Sequence, residues 1–451
     1  MENRFNDLSA KEWLPFQKSF SIFKDKKSLI RDNLLFFTKP SLSPTPIVTA
    51  KGSSNFERMV KTQAKNIKIS YSDEKDISSL DLICMDITHQ LNKADNFESV
   101  NKILDHSVQW IKETSSSLNL RKFVWILAQN VFIDGVFFPA AWELSNRMAK
   151  ILCQKDEKII CLPDQTGILV SLYFRKDHRI GDRTTALCSS LQTAWSKMKH
   201  IPGVHKVPEW FILKPKPRKK QEIQHPAKYP EELVRLYLEN YTKPNNIIFD
   251  PMTGTGTTQV EALKLNREAY GIELSSMFHH IASERCMQIV TDLNWEIVKG
   301  DARKIKNIQF PKFDYVITSP PYWDMLNMKG AETQANRHYK GLKTNYSDDK
   351  NDLGNLSDYK DFIAVLSNIY IDTIKCIKPD GYMTIVVKNV KKKGEHYPLA
   401  FDLTEQLLPH VPLVHVAFWC QDDLKIAPYG YKHTWVSNTF HHYCLTFKKP
   451  A

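Results

Sequence analysis

The stretch Ile247-Ile-Phe-Asp-Pro-Met-Thr-Gly-Thr-Gly-Thr-Thr-Gln-Val-Glu-Ala-Leu-Lys-Leu265 decides how the chain folds. Ile247 to Phe249 form a short apolar run of the kind found in a buried parallel strand, and Val260, Ala262 and Leu263 have helical spacing. The segment between them therefore joins a strand to a helix. Gly254 and Gly256 permit a tight turn and close approach of a ligand to bare backbone, and the helix start beyond them offers unpaired N–H groups. A second apolar run, Ala269 to Ile272, ends at Glu273. Its distance from Asp250 is close to the roughly 20 residues at which a doubly wound fold places a ribose-binding acid. Gly-Thr-Gly by itself is as readily an ordinary turn as a ligand loop. No Gly-Lys-Ser or Gly-Lys-Thr follows it and the full Gly-x-Gly-x-x-Gly pattern is missing, so triphosphate and nicotinamide readings both weaken.

A second stretch, Asp314-Tyr-Val-Ile-Thr-Ser-Pro-Pro-Tyr-Trp323, begins as another strand. Pro320 and Pro321 cannot continue its ladder and hold fixed φ angles, so the chain leaves the sheet as a stiff loop. Such a loop can aim the Ser319 hydroxyl, a proline carbonyl and the Tyr322 ring at one point. A lone Pro-Pro-Tyr is more often a turn with a buried aromatic; the glycine loop and the acid at 273 give this one its meaning.

With both stretches in view, the chain resembles the AdoMet-dependent DNA methyltransferases that modify exocyclic amines, cytosine N4 or adenine N6. The cofactor loop of that family looks like Asp250 to Thr258, and its catalytic loop like Ser319 to Tyr322. Upstream, His225-Pro-Ala-Lys-Tyr-Pro230 is similar to the segment that closes over the methionine part of AdoMet, and Asp301 sits where the family contacts the adenine. The resemblance covers residues 223 to 449. It implies that His225, Pro226, Lys228, Asp250, Met252, Gly254, Gly256, Thr257, Thr258, Glu273 and Asp301 hold AdoMet, with Ser319, Pro320, Pro321 and Tyr322 catalytic. Ser319 Oγ and the Pro320 carbonyl would accept the two amino protons, and Tyr322, with Trp323 as a further candidate, would stack on the base. Many family members place the catalytic loop first; here the cofactor segments precede it.

The chemistry accounts for these residue types. The lone pair of an aromatic amine is spread into the ring, and accepting hydrogen bonds from both amino protons draws it out of the plane. No covalent intermediate is needed. A carbon-5 cytosine enzyme needs a cysteine nucleophile, and the chain has no Pro-Cys dipeptide. Serine at 319 tilts the reading toward cytosine N4 as a family tendency, because serine and aspartate accept the same hydrogen bond. Adenine N6 stays open, as does guanine N2 of tRNA. A non-catalytic reading subunit is a further alternative, disfavoured by intact Gly254, Gly256, Glu273 and Ser319. The implied partner is double-stranded DNA; a cognate restriction endonuclease is a further candidate, since a standalone enzyme and one half of a restriction-modification pair look alike in sequence.

Composition agrees. The 451 residues suffice for two or three domains, 42% are hydrophobic, and a net charge of +12 favours a polyanionic partner. Basic residues concentrate at Lys214 to Lys220 and Lys391 to Lys393, the second just beyond a strand-like Thr384 to Lys388. The eight cysteines include no Cys-x-x-Cys pair, which argues against a zinc ribbon and a disulfide framework. The pairs His279-His280 and His441-His442 lack the spacing of a helical metal site and read as structural. The polar start and the lack of an apolar run near 18 residues predict a cytoplasmic protein with no membrane partner.

The expected fold is α/β: a Rossmann-like seven-stranded methyltransferase sheet with helices on both faces, plus a mainly helical or α+β N-terminal domain. The boundaries read as 1–213 for that domain, 214–222 for a basic linker and 223–451 for the catalytic domain. A helix over Ser357 to Ile377 should stop at Lys378-Pro-Asp-Gly381, and Leu399 to Leu408 should form another. Tyr429, Tyr431 and Asn438 are candidates to line a base pocket, and the irregular stretch 324–356 to close over substrate. In the first 213 residues Trp13, Phe16, Phe20 and Phe23 have helical spacing, and no repeat or catalytic constellation stands out. This half is expected to read the target or grip flanking duplex, with a scaffold or partner-binding domain as the equal alternative.

Overall fold

Parallel strands buried on both faces need helices above and below them, and the apolar run at Ile248 and Phe249, both fully buried, sits at the middle of such an arrangement. The computed structural model describes residues 4–451 except 6, 10–11, 14–15, 43, 71–78, 179–205, 216–228, 324–351, 393–394, 423–436 and 438. The chain divides into two compact units. The first is Met1–Cys188 with Lys393–Tyr397 and Leu424–His441; the second is Ser189–Lys392 with Pro398–Asp423 and His442–Ala451.

In the first unit, β1 (Arg4–Phe5) and β2 (Leu8–Ser9) pair with each other. The main sheet has seven strands in the order β3-β10-β11-β7-β6-β4-β5. These are β3 (Phe20–Ile22), β4 (Ile47–Lys51), β5 (Lys68–Ser70), β6 (Leu80–Asp86), β7 (Leu118–Ala128), β10 (Cys153–Cys161) and β11 (Ile168–Arg175). A small antiparallel pair, β8 (Val131–Ile133) and β9 (Val136–Phe138), follows β7. Strands β5, β4, β6 and β7 run parallel, β11 is antiparallel to β7, and β3 is parallel to β10. Helices Lys26–Thr38, Ser54–Gln63, Phe97–Thr114 and Ala140–Met148 complete the unit. It is therefore organised on a sheet, not as a helical bundle. Phe20 lies in β3 and not on the helical stripe its spacing with Trp13, Phe16 and Phe23 suggested, because a three-residue strand leaves no periodicity to read.

The second unit has eight strands in the order β12-β20-β21-β17-β16-β13-β14-β15. They are β12 (Trp210–Ile212), β13 (Ile247–Asp250), β14 (Glu268–Glu273), β15 (Trp295–Lys299), β16 (Phe313–Thr318), β17 (Ile377–Val387), β20 (Leu413–Cys420) and β21 (His441–Lys448). Two short strands, β18 (Val390–Lys392) and β19 (Glu395–Tyr397), lie between β17 and β20 in sequence. The seven expected strands are all present, and β12 adds an eighth, parallel to β20. That strand falls just before the boundary drawn at residue 213. Strands β13 to β17 run parallel, and β21 is antiparallel to β17.

Helix Glu231–Tyr241 buries Leu233, Val234, Tyr237 and Leu238 against Ile248, Val260, Tyr315 and Ile317. Helix Tyr359–Cys376 starts where expected, its Asp358 side chain accepting the Lys360 and Asp361 N–H groups. Its expected stop signal is not a loop. Strand β17 starts at Ile377 and carries Lys378-Pro-Asp-Gly381 as an irregularity, with Asp380 at φ 60°. Strand β13 lies between β14 and β16, so the chain order reverses there and opens a crevice at the carboxyl ends of the strands.

Candidate active site

The first segment to reach that crevice is the loop after β13. Gly254 and Gly256 have φ of 57° and 80°, a region most side chains avoid, and Gly256 caps helix Thr257–Lys264. A Cβ on Gly256 would lie 2.9 Å from the Ala282 Cβ, so helix Ser276–Met287 packs against bare backbone. A Cβ on Gly271 of β14 would collide with the Thr253 hydroxyl and the Gln259 amide. The loop thus lies flat across β14 because both contact points lack side chains.

Buried polar groups hold it there. Asp250 is 1% exposed; its carboxylate accepts the Met252 N–H at 2.9 Å, the Thr258 hydroxyl at 2.8 Å and the Tyr229 hydroxyl at 3.1 Å. Burial pushes the Asp250 carboxyl upward, and those donors work against it. Tyr229 also bonds to the Thr258 hydroxyl. It belongs to the upstream segment compared above, but no sequence signal marked its hydroxyl as part of the site. His225, Pro226 and Lys228 lie outside the described residues, as do most of the basic cluster at 214–220, the stretch 324–351, Tyr429, Tyr431 and Asn438.

Glu273, 8% exposed at the end of β14, accepts the Gly254 N–H at 2.8 Å on one oxygen and the Ser275 N–H at 2.7 Å on the other. Burial pushes its carboxyl up to about 7 despite those two donors. A carboxylate has about four acceptor positions, so two remain for hydroxyls of a ligand. At Asp301, burial raises the carboxyl, and the Arg303 guanidinium and backbone N–H outweigh that and bring it below its ordinary value. The Asp301 carboxylate is held by Arg303 from 2.6 to 3.0 Å.

The Ser319–Tyr322 loop leaves β16 as the Pro-Pro pair requires. Ser319 Oγ lies 3.1 Å from the Tyr322 hydroxyl. Tyr322 and Trp323 are both buried, Trp323 packing edge-on against Tyr359 at 5.0 Å with the Lys392 ammonium 4.3 Å above its ring. That fixes Trp323 as a wall of the loop. Burial beside Lys391 lowers the Lys388 ammonium to about 8. Lys393, the last of that cluster, is outside the described residues. His279 bonds to the Ile297 carbonyl at 2.8 Å and His442 stacks on Trp419 at 4.2 Å, both packing roles, and among the described residues no cluster could hold a metal. Among the same residues no helix is long and apolar enough to cross a membrane.

One pocket, with about 670 Å³ of empty space, collects these groups. Pro251, Met252, Gly254, Glu273, Asp301, Ser319 and Pro321 line it together with Phe278 and Leu353. The donor set fits AdoMet: an acid with free acceptor positions for ribose hydroxyls, a bare-backbone cradle, and an apolar wall. Thr257 and Thr258 lie behind the cradle at the helix start, both buried.

Comparison with known proteins agrees. The family described as DNA methylase matches residues 69–284, from the first unit through the glycine loop of the second. The Type II methyltransferase M.BglII of Bacillus subtilis is 34% identical over 73 residues, 16% of this chain and 20% of that protein. The orphan methyltransferase M.BamHII of Bacillus amyloliquefaciens is 40% identical over 63 residues, 14% of this chain and 24% of that protein. The matches therefore span about a fifth to a quarter of these relatives. Among solved structures, the match to TrmN from Thermus thermophilus covers 94% of this chain and 79% of that one, at 11% identity and a TM-score of 0.33. In its sequence matches, and in the loop, acid and Pro-Pro corner that line one pocket, the chain is similar to the AdoMet-dependent amino-methyltransferases of the N4/N6 type.

Proposed function

We propose that this protein methylates the exocyclic amine of a base in duplex DNA, with cytosine N4 as the preferred target. The observation that carries the reading is the shared pocket: the glycine loop and Glu273, which suit the donor, line the same cavity as Ser319 and Pro321. AdoMet, when bound, supplies an electrophilic methyl group. Everything else falls to the chain. Glu273 accepts from the ribose hydroxyls, the Gly254–Gly256 backbone lets the donor approach, and Asp250 fixes the loop through Thr258 and Tyr229. Ser319 Oγ and the Pro320 carbonyl accept the two amino protons, drawing the amine lone pair toward the methyl. Tyr322 shares its hydroxyl with Ser319, which sets the orientation of both.

The target base has to leave the helix, at a cost of about a few kcal/mol. Holding amine and methyl in line can return roughly 7 to 11 kcal/mol of the barrier. Transfer of labelled methyl from AdoMet to duplex DNA, with tRNA in parallel and nucleoside mass spectrometry as readout, tests the proposal. N4-methylcytosine supports it in full. N6-methyladenine keeps the chemistry and corrects the base, and label confined to tRNA overturns the substrate.

A further inference from the structure

The main sheets of the two units share strand order and register in seven strands, with β15 the one strand of the second sheet that has no counterpart among the described residues of the first. Ile47 pairs with Lys68 where Ile247 pairs with Glu268, and Val48 lies opposite Leu82 where Ile248 lies opposite Tyr315. Strand β7 slips register against β6 between Leu80 and Leu82; β17 slips against β16 between Phe313 and Tyr315. Phe123 to Ala128 pair with Arg175 to Val170 as Tyr382 to Val387 pair with Lys448 to Tyr443.

Single hydrogen bonds recur as well. Asp81 accepts the Ile47 N–H at 3.0 Å, and Asp314 the Ile247 N–H at 2.8 Å. The Asn130 side chain accepts from the Ala141 N–H, and the Asn389 side chain from the Ala400 N–H. Asn66 and Asn266 both turn the chain with positive φ ahead of β5 and β14, and Arg121 and Asp380 both do so in the irregular strand. Even the extra strand is repeated: β3 runs parallel to β10 as β12 does to β20. Shared topology alone could arise by convergence. A shared bulge, shared registers and shared side-chain bonds point to a tandem copy.

The copies differ where the donor would lie. In the register of the strands, Ser54, Asn55 and Phe56 stand at the places of Gly254, Thr255 and Gly256. The first-unit helix begins a turn earlier, at Ser54 with Ser53 as its cap, so a helical turn replaces the glycine loop. Phe56, 1% exposed, occupies the position at which the second unit needs bare backbone. A Cβ on Gly52 would meet the Phe56 ring at 2.8 Å and the Asp86 carbonyl at 2.9 Å, so this corner is packed solid. At the other loop, Asp86-Ile-Thr-His89 stands in place of Ser319-Pro-Pro-Tyr322. Asp86 is 1% exposed, bonded to its own Thr88 at 2.6 Å and ion-paired with Lys26 at 2.7 Å. The residue matching Glu273 is Asp73, which lies outside the described residues.

We propose that this chain is a fused pair of methyltransferase folds in which the first has been silenced, its donor cradle filled by Phe56 and its catalytic corner closed by the Lys26–Asp86 pair. The chain then holds one donor site, in the second unit. This rests on the AdoMet reading given above. Titration calorimetry of the full chain with AdoMet tests it. One equivalent is expected to bind. Glu273→Ala should weaken it on the order of a hundredfold or more, since two charge-assisted hydrogen bonds are lost, and leave no residual site. Asp73→Ala should bind as the parent does. Two equivalents per chain, one equivalent bound by Glu273→Ala with the parent's affinity, or loss of binding in Asp73→Ala would each overturn the inference. A parent protein that binds none would overturn the AdoMet reading itself and the inference with it. Circular dichroism of each variant separates lost binding from lost fold.

Discussion

Two corners of one chain, built on matching strands of two sheets, have opposite fates. At the end of β13 a loop with two positive-φ glycines leaves space beside Glu273. At the end of β4 a helix starts one turn earlier and plants Phe56 in the corresponding place. The scaffold does not decide which corner binds a donor, since bulge, register and strand order, apart from the edge strand β15, are common to both. A few residues at the strand ends decide it. Function in this fold is a property of its loops, and a sheet can persist after its site has been packed shut.

The comparison can be broken most sharply by writing one corner into the other. Gly256→Phe puts the first-unit residue into the second unit, where φ is 80° and Ala282 is in contact. Methyl transfer should fall below detection, with no AdoMet binding by calorimetry. Retained binding would mean that Phe56 is not what fills the first corner. Ser319→Ala removes one amine acceptor and leaves the donor contacts; single-turnover transfer should drop by roughly a hundred- to a thousandfold, by analogy with loss of one oxyanion-hole donor. Ser319→Asp, which installs the residue found at Asp86, should retain transfer within about tenfold because a carboxylate also accepts hydrogen bonds.

Glu273 predicts a pH dependence. Its folded value near 7 lies above the ordinary one, so the ligand-free protein takes up a proton there as pH falls through 7, whereas ribose hydroxyls are best accepted by the ionised form. AdoMet affinity should fall by about tenfold per pH unit below 7. Glu273→Gln should bind weakly with no such slope. The sign for stability is opposite. Because the folded value is raised, the protonated carboxyl favours the folded state below the unfolded value of 4.5, and this advantage is lost as pH rises toward 7. Thermal melts of the ligand-free Glu273→Gln variant above pH 7 should therefore exceed those of the parent.

The smallest effect belongs to the silent corner. Lys26→Ala leaves Asp86 buried without its ammonium and should cost about 2 to 3 kcal/mol of first-unit stability, less than a fully buried pair because Lys26 is partly exposed. Transfer per folded molecule should not change. A loss of turnover without a loss of stability would give that corner a part in the reaction.

Much of the second unit was legible in the sequence. The apolar runs, the two glycines, the acid at 273 and the Pro-Pro pair each constrain the backbone strongly enough to read locally. The hydrogen bond from Tyr229 to Asp250 was not, because a hydroxyl reaching across the sheet leaves no periodic trace. The duplication escaped for a related reason. What the copies share is register, a bulge and a few polar anchors such as Asp81 and Asp314. The residues that make a motif conspicuous, Gly254, Gly256 and Pro320, are the ones the first copy has lost. The runs Leu80-Asp-Leu-Ile-Cys-Met-Asp86 and Phe313-Asp-Tyr-Val-Ile-Thr-Ser319 hold an aspartate at the same place, a faint signal that becomes readable once the strands are paired. Tandem copies also bear on motif order. From residue 69 to 284, the stretch matched by the family, the first unit's Asp86 corner precedes the second unit's glycine loop.

On the proposal of a silenced twin, one corner binds the donor and the other does not. Photocrosslinking of labelled AdoMet to the full chain, followed by peptide mapping, tests it most directly. Label confined to peptides between Tyr229 and Trp323 is the predicted result. Label on peptides carrying Lys26, Phe56 or Asp86 would contradict it.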